Sequence, residues 1–258
     1  MNKIIFFGNG PLAESALVVL KQHFEIVFHA RSRDDLETVK DIKRKVPEAH
    51  GVLASFGVII REDVLELFEP EGILNIHPSL LPLYRGASPI ESAILAGEDD
   101  FSVSVMKLAK NMDAGPIYWQ TTLSGLPLDK AVIYRELSET GARWICENMD
   151  HLPTPVEQDE KKATFCGKME KSMGILCPET ESAKEIYRKI VAFQGFPKPK
   201  YTFYGKNCII LSAHILEQGE TAPLTIPCAD GQNIAIDSLQ PEGKKPMNAK
   251  AFLNGYKK

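Results

Sequence analysis

The sequence predicts a two-domain α/β protein, with a doubly wound, mostly parallel sheet followed by a smaller antiparallel β-barrel. Over the first 150 residues, short apolar runs alternate with amphipathic helical segments, which is typical of parallel strands joined by crossover helices. Nearer the C-terminus, short strand-like runs are separated by turn sequences. The chain has 258 residues, of which 44% are hydrophobic and 25% charged, and this suits a globular protein of two domains.

The first element is a strand over Lys3–Phe7, because β-branched and aromatic residues follow one another there. It ends in the glycine turn Gly8-Asn9-Gly10-Pro11, after which small and apolar residues recur at helical spacing up to Leu20. The same patterns predict strands over 24–28, 51–55 and 73–76, and a helix over 35–46.

The next part of the chain completes the sheet. Residues 101–108 alternate between apolar and polar, as a half-buried strand does, and a second strand is predicted over 118–123. Residues 128–149 form an amphipathic helix that can cover the sheet. Proline and charge dominate the segment that follows, which predicts domains at 1–150 and 172–258 joined by a linker over 151–171.

The C-terminal domain begins with a helix, since Ser182 and Glu185 have the spacing of a capping box. Ile186, Ile190 and Phe193 then form one apolar helix face. Strands are predicted over 201–204, 208–215, 224–228 and 234–239.

Charge and hydropathy exclude several functional classes. The net charge of −4 argues against bulk polyanion binding, although residues from Ser172 onward carry 11 basic against 8 acidic side chains. This mildly basic C-terminal part permits a surface that faces nucleic acid. No run of 18 apolar residues is present, which predicts a cytoplasmic protein without a membrane partner.

Two apparent cofactor signals are weak. Five cysteines, none of them in a CxxC pair, indicate neither a disulfide framework nor a zinc site: Cys146, Cys166, Cys177, Cys208 and Cys228. The Gly8-Asn9-Gly10 turn has Ala13 in place of the third glycine of a dinucleotide motif, and the second strand ends without the carboxylate that an NAD ribose requires. We expect a tight strand-to-helix turn there.

Three polar residues are candidates for catalysis. Asn75 and His77 lie two residues apart at the end of an apolar run, so an extended chain directs both side chains to one face. Asp113 follows a later strand, in a turn sequence. An amide, an imidazole and a carboxylate suit attack of an amine on a carbonyl, and the chain has no GxSxG elbow to supply a serine nucleophile. Ser79 is expected to stabilise its own loop.

These residues resemble a known family. The segment Asn75-Ile-His77-Pro-Ser79-Leu80-Leu81-Pro82, continued by Leu-Tyr-Arg85-Gly86 and by Met112-Asp113-Ala-Gly115-Pro116, is similar to the catalytic segment of formyltransferases that use 10-formyltetrahydrofolate. The resemblance implies a Rossmann-like first domain, Asn75, His77 and Asp113 as catalytic residues, and no requirement for a metal. It also implies folate binding by Phe56, Gly57, Val58, Ile59, Ile60, Ser79, Leu80, Leu81 and Pro82.

The end of the chain, from Ser238 to Leu253, resembles the family members that act on initiator tRNA, whose second domain is an OB-like barrel. This implies transfer of the formyl group to the amino group of methionyl initiator tRNA. The expected tRNA-binding residues are Arg31, Arg33, Arg85, Lys198, Lys200, Lys206, Lys244 and Lys245. One departure is that Arg31-Ser-Arg33 runs directly into a helix, where such enzymes usually carry a long basic loop.

Other activities share the same three residues. A nucleotide-sugar N-formyltransferase is favoured by the missing basic loop and disfavoured by Lys244 and Lys245. A formyltetrahydrofolate hydrolase would pass the formyl group to water. A non-catalytic folate- or RNA-binding module would have the fold without turnover.

Overall fold

The computed structural model describes residues 1–256, which form two compact units. The first unit comprises residues 1–90 and 99–167, and the second comprises residues 91–98 and those from 168 onward. The sequence predicts a linker over 151–171, but residues up to 167 belong to the first unit. Within it, Val156 exchanges two backbone hydrogen bonds of 2.8 Å with Ile117, so this segment is an ordered part of the unit.

The first unit is built on a six-stranded sheet. The strands of this unit are β1 (Lys3–Phe7), β2 (Glu25–Ala30), β3 (His50–Leu53), β4 (Ile73–His77), β5 (Arg85–Gly86), β6 (Phe101–Lys107), β7 (Ile117–Leu123) and β8 (Phe165–Cys166). The six strands of the sheet follow the order β2-β1-β3-β4-β6-β7. The helices in this part of the chain are α1 (Gly10–His23), α2 (Asp35–Lys45), α3 (Glu62–Leu65), α4 (Pro89–Ala96) and α5 (Lys130–Asn148).

The sheet is mixed. Strands β2, β1, β3 and β4 pair in parallel, whereas β6 is antiparallel to both β4 and β7. The loop between β6 and β7 reverses the chain directly, and antiparallel strands do not need a crossover helix. The predicted Rossmann-like class is therefore confirmed, with two antiparallel pairings at one side of the sheet.

The glycine turn after β1 is a tight connection to α1. The Gly8 amide donates to the Ala30 carbonyl at 2.9 Å, and a Cβ at Gly8 would lie 2.2 Å from the Ala54 carbonyl oxygen. Helix α1 begins at Gly10, with Pro11 in its first turn. Close approach of backbone to backbone thus explains the glycine at position 8.

The second unit is an antiparallel sheet with helices packed against it. The elements are α6 (Ala183–Ala192), β9 (Lys200–Phe203), β10 (Lys206–Ile215), β11 (Thr225–Pro227), β12 (Asn233–Pro241), β13 (Met247–Asn248) and α7 (Ala249–Tyr256). The strands follow the order β11-β12-β10-β9, and β13 also pairs with β12. The predicted capping box is confirmed, because the Ser182 and Glu185 side chains each accept the other residue's backbone amide.

Each unit has its own hydrophobic core. Ile5, Phe7 and Val39 are among the fully buried residues of the first, and Ile186, Ile210 and Phe252 lie in the core of the second. Among residues 1–256, no helix has both the length and the apolar character needed to cross a bilayer.

Candidate active site

Strand β4 places the first two candidate residues. Asn75 pairs with Met106 and His77 with Ser104 across the β4–β6 ladder, and both candidates are 5% exposed. Because they are two residues apart on one strand, their side chains leave the same face with their Cα atoms about 6.6 Å apart. This end of β4 is the carboxyl end, where α/β sheets bind ligands.

The side-chain amide of Asn75 is available to a ligand. This group forms no hydrogen bond with another residue of the part of the chain described here. Every fully buried side-chain nitrogen or oxygen within residues 1–256 does have a hydrogen-bond partner. The amide of Asn75 therefore keeps contact with solvent, although the residue as a whole is buried.

The loop after β4 is held by a buried serine. The Ser104 hydroxyl donates to the Ser79 carbonyl at 2.6 Å and accepts the Leu81 amide at 3.1 Å. The Gln120 side-chain amide donates to this hydroxyl at 2.8 Å and to the Leu81 carbonyl at 2.7 Å. Strands β6 and β7 thereby fix the backbone of residues 79–81 beside the catalytic candidates.

The side chains of this loop have different environments. The Ser79 hydroxyl donates to the Leu83 carbonyl at 2.7 Å, which confirms its expected local role. Leu81 is 3% exposed and belongs to the core, whereas Leu80 and Leu83 are 40% and 37% exposed. The leucines that can meet a ligand through their side chains are therefore Leu80 and Leu83.

Asp113 is placed by a strained turn between β6 and β7. Its φ of +49° lies in the left-handed region, which aspartate tolerates better than most residues. Its Oδ2 atom accepts the Gly86 backbone amide at 2.8 Å. A Cβ at Gly115 would lie 1.9 Å from the Lys107 carbonyl oxygen, so a larger residue at Gly115 would displace the turn.

His77 and Asp113 meet in the structure. The Nδ1 atom of His77 lies 3.6 Å from Oδ1 of Asp113, and its Nε2 atom lies 3.2 Å from the Tyr84 carbonyl oxygen. Both of these oxygens are acceptors. A ring nitrogen that carries a proton can donate to the oxygen that it faces. The two oxygens therefore set the orientation of the ring from two sides.

The expected folate-binding segment 56–60 divides into buried and exposed parts. Phe56 is 2% exposed and packs edge-to-face on Phe7, with ring centroids 5.7 Å apart, while Ile60 is 6% exposed in the same core. Gly57 is exposed, Val58 is half-buried and Ile59 is 71% exposed. Within this segment, Val58 and Ile59 are therefore the residues whose side chains can contact a ligand.

Arg85 was predicted to contact tRNA, and the structure corrects this. The residue is 2% exposed, and its guanidinium donates to both carboxylate oxygens of Glu160, at 2.8 and 2.9 Å. It also donates twice to the Gln158 side-chain oxygen, at 2.8 and 3.0 Å. Because it is buried and uses four of its five N–H donors inside the first unit, Arg85 is not placed to bind a phosphate.

Gln158 is a residue of this site that no pattern in the sequence predicts. Its side-chain amide donates to the Asp113 carbonyl at 2.8 Å and to the Gly115 carbonyl at 2.7 Å. It lies in the segment predicted as a linker, and neither periodicity nor motif spacing marks it. The separation of 45 residues between Gln158 and Asp113 is bridged by the fold.

The other predicted tRNA-binding residues are exposed. None of these seven side chains forms an ion pair with a carboxylate of residues 1–256. They are Arg31, Arg33, Lys198, Lys200, Lys206, Lys244 and Lys245.

Two cavities lie away from this site. They have volumes of about 290 and 500 Å3, and both are lined by His50 and Glu71. His50 begins β3, so these cavities are at the amino ends of the parallel strands, opposite the end that carries His77. Burial lowers the pKa of His50. No group of three or more histidine, cysteine, aspartate or glutamate side chains suited to a metal ion occurs within the described chain.

Family models match both parts of the chain. The model for "Formyl transferase" matches residues 11–148, and that for "Formyl transferase, C-terminal domain" matches residues 168–257. The chain is 34% identical over 240 residues to a methionyl-tRNA formyltransferase of Roseiflexus castenholzii, covering 86% of this chain and 75% of the relative. It is 33% identical over 241 residues to one of Thermus thermophilus, covering 88% and 76%.

Solved structures share the fold at lower identity. A methionyl-tRNA formyltransferase from Clostridium thermocellum superposes with a TM-score of 0.66 at 19% identity, covering 93% of this chain and 98% of the other. HypX from Aquifex aeolicus in complex with tetrahydrofolic acid gives 0.79 at 19% identity, covering all of this chain and 48% of HypX. The sugar 3N-formyl transferase WlaRD gives 0.65 at 19% identity, covering 95% and 99%.

Proposed function

The chain belongs to the formyl transferase family, and we propose that it transfers the formyl group of 10-formyltetrahydrofolate to the amino group of methionyl initiator tRNA. The chemistry rests on the contact between His77 and Asp113 beside the unpaired Asn75 amide. The acceptor rests on the relatives, which are named as methionyl-tRNA formyltransferases and match most of the chain.

Catalysis would proceed through a tetrahedral intermediate. The amine nitrogen attacks the formyl carbon, and negative charge develops on the formyl oxygen. The Asn75 amide is free to donate to this oxygen. The His77 Nε2–H reaches it by exchanging its contact with the Tyr84 carbonyl, which at 3.2 Å is a long hydrogen bond. Each such donor can contribute about 3 kcal/mol to lowering the barrier.

Asp113 would have two roles. Its Oδ1 atom faces His77 and sets the orientation of the ring beside the reacting group. The same carboxylate accepts a proton from the attacking amine, since deprotonation must accompany formation of the new C–N bond. When the intermediate collapses, the bond from the formyl carbon to the folate nitrogen breaks, and that nitrogen takes the proton that Asp113 accepted from the amine.

The folate would lie along the loop after β4. The exposed residues Ile59 and Leu80 and the half-buried Val58 offer apolar contacts, Gly57 leaves room beside them, and Ser79, Leu81 and Pro82 shape the backbone. The hydrogen bonds from Ser104 and Gln120 hold this backbone in place before a ligand arrives.

The tRNA would contact the lysines of the second unit. The Glu242 amide donates to the Asn207 carbonyl at 2.9 Å, so the turn with Lys244 and Lys245 lies at the same end of the sheet as Lys206. Exposed lysines without carboxylate partners are suited to phosphate contacts.

The test is an acceptor panel. The protein is incubated with 10-formyltetrahydrofolate and, separately, charged initiator tRNA, an aminodeoxy nucleotide-sugar, or water alone. We expect formylation of methionyl-tRNA and at least a hundredfold loss of turnover in His77→Ala and Asp113→Ala. Full activity in both variants would refute the site, and formylation of another acceptor would refute the substrate.

A nucleotide-sugar acceptor is the second candidate. The connection between β2 and α2 is short, and Asp35 accepts the backbone amides of Arg31 and Ser32 at 2.8 and 2.9 Å. This closed turn leaves no long loop to reach an acceptor stem. Turnover with water alone would indicate a hydrolase, and folate or RNA binding without turnover would indicate a binding module.

A further inference from the structure

The Gln158 side chain uses its full hydrogen-bonding capacity. Its nitrogen donates to the carbonyls of Asp113 and Gly115, at 2.8 and 2.7 Å. Its oxygen accepts two donors of Arg85, at 2.8 and 3.0 Å. A side-chain amide has two donors and two acceptor lone pairs, and all four are used here.

Gln158 is itself held in place. Arg85 is 2% exposed, and two further donors of its guanidinium form a two-point ion pair with Glu160, which lowers the pKa of that carboxyl. The backbone of Arg85 is fixed in turn, because Arg85–Gly86 pairs as a strand with Phe165–Cys166. The amide of Gln158 therefore has one orientation that satisfies every partner.

The same framework reaches Asp113 from a second direction. The Gly86 amide, next to Arg85 in the chain, donates to Asp113 Oδ2 at 2.8 Å. The carboxylate and the backbone carbonyl of Asp113 are thus bound to neighbouring parts of one framework. This matters because the left-handed φ of +49° at Asp113 must be maintained by its surroundings.

From these contacts we propose that Gln158 is a positioning residue, which holds the Asp113 turn so that the carboxylate faces His77. The proposal rests on the proposed function, since it assigns Gln158 an effect through Asp113. Arg85 and Glu160 orient the Gln158 amide.

The Gln158→Glu variant distinguishes an effect on the Asp113 turn from a general loss of stability. A glutamate keeps the size and still accepts from Arg85, so the buried guanidinium stays paired. It has no donor for the two turn carbonyls, and its negative charge opposes them. The variant should therefore stay folded, with kcat reduced about 10- to 100-fold and KM for both substrates little changed, because a misplaced catalytic group can cost about this much.

The neighbouring Glu157→Gln variant is a matched control. Glu157 is exposed and forms no hydrogen bond or ion pair with residues 1–256. We expect wild-type kcat in this control. Hydrogen exchange provides a readout independent of activity: Gln158→Glu should speed exchange in residues 111–116 and leave 164–166 unchanged. Unchanged exchange at 111–116 would overturn the proposal.

A double variant distinguishes the failure of this inference from the failure of the proposed function. If Gln158 acts through Asp113, adding Gln158→Glu to Asp113→Ala lowers single-turnover rates no further. A further drop equal to that in the wild-type background would refute the positioning role while leaving the catalytic role of Asp113 intact. Wild-type rates in Asp113→Ala alone would instead refute the proposed site.

Discussion

Ser104→Ala should destabilise the first unit strongly, although the substitution removes a single oxygen atom. The Ser104 side chain is fully buried, and its hydroxyl forms three hydrogen bonds. The substitution leaves the Ser79 carbonyl and the Leu81 amide without this partner. Gln120 keeps its other bond, to the Leu81 carbonyl at 2.7 Å.

The size of the effect follows from the two backbone groups that lose their partner, the Ser79 carbonyl and the Leu81 amide. A buried polar group that loses its partner costs about 1–3 kcal/mol, so the two together give about 2–4 kcal/mol after partial relaxation. This is a large part of the total stability of a typical domain, about 5–15 kcal/mol. With a urea dependence of about 2 kcal/mol per molar, the unfolding midpoint should fall by about 1–2 M.

Tryptophan fluorescence is a suited assay for this prediction. The chain has 2 tryptophans, Trp119 and Trp144, and they stack in the first unit with centroids 5.6 Å apart. Ser102→Ala is the control, because the Ser102 hydroxyl forms one exposed bond, to the Thr122 hydroxyl at 2.9 Å. We expect a cost below about 1 kcal/mol in the control. Equal midpoints in the two variants would refute the assigned role of the Ser104 hydroxyl.

Three further predictions concern other parts of the molecule. Gly115→Ala should reduce kcat about tenfold or more, because its Cβ would meet a backbone carbonyl oxygen at 1.9 Å; Gly167→Ala, with open space around it, should be active. His214 lies 3.0 and 3.1 Å from two carboxylates, which raise its pKa, so its ion pairs stabilise the fold below about pH 6.5 and are lost as the pH rises through the raised pKa. Urea unfolding of His214→Gln should show a loss of no more than about 0.5 kcal/mol at pH 5.5 and none at pH 9, since the site is exposed. Lys244→Ala and Lys245→Ala should each flatten the logarithmic salt dependence of tRNA binding by about 0.7–0.9, and an unchanged slope would exclude phosphate contact.

Local patterns in the sequence were sufficient for much of the fold. The capping box at Ser182 and the tight turn at Gly8 depend on residues a few positions apart, and both were predicted. Asn75 and His77 lie on the same face of their strand because side chains in a strand alternate with a two-residue repeat. Helix and strand limits differ from the prediction by a few residues; β2, for example, extends to Ala30.

The tertiary structure decided what lies around these residues. Arg85 is of a residue type that often binds phosphate at a surface. It is nevertheless buried, and its guanidinium is paired with the carboxylate of Glu160, 75 residues later in the chain. Phe56 belongs to the core because Phe7 packs against it, and no local pattern distinguishes this from an exposed aromatic residue.

The sequence by itself determined the fold class, most of the longer elements and the three polar residues that the family resemblance marked, because periodicity, caps and turns are properties of neighbouring residues. The short strands β5, β8 and β13 and the helices α3 and α7 were not predicted. Only the tertiary structure decided that His77 faces Asp113 and that a segment predicted as a linker supplies Gln158 to the same turn. Such contacts join residues that are tens of positions apart. They depend on how the whole chain packs, and the local sequence around each partner does not specify the other.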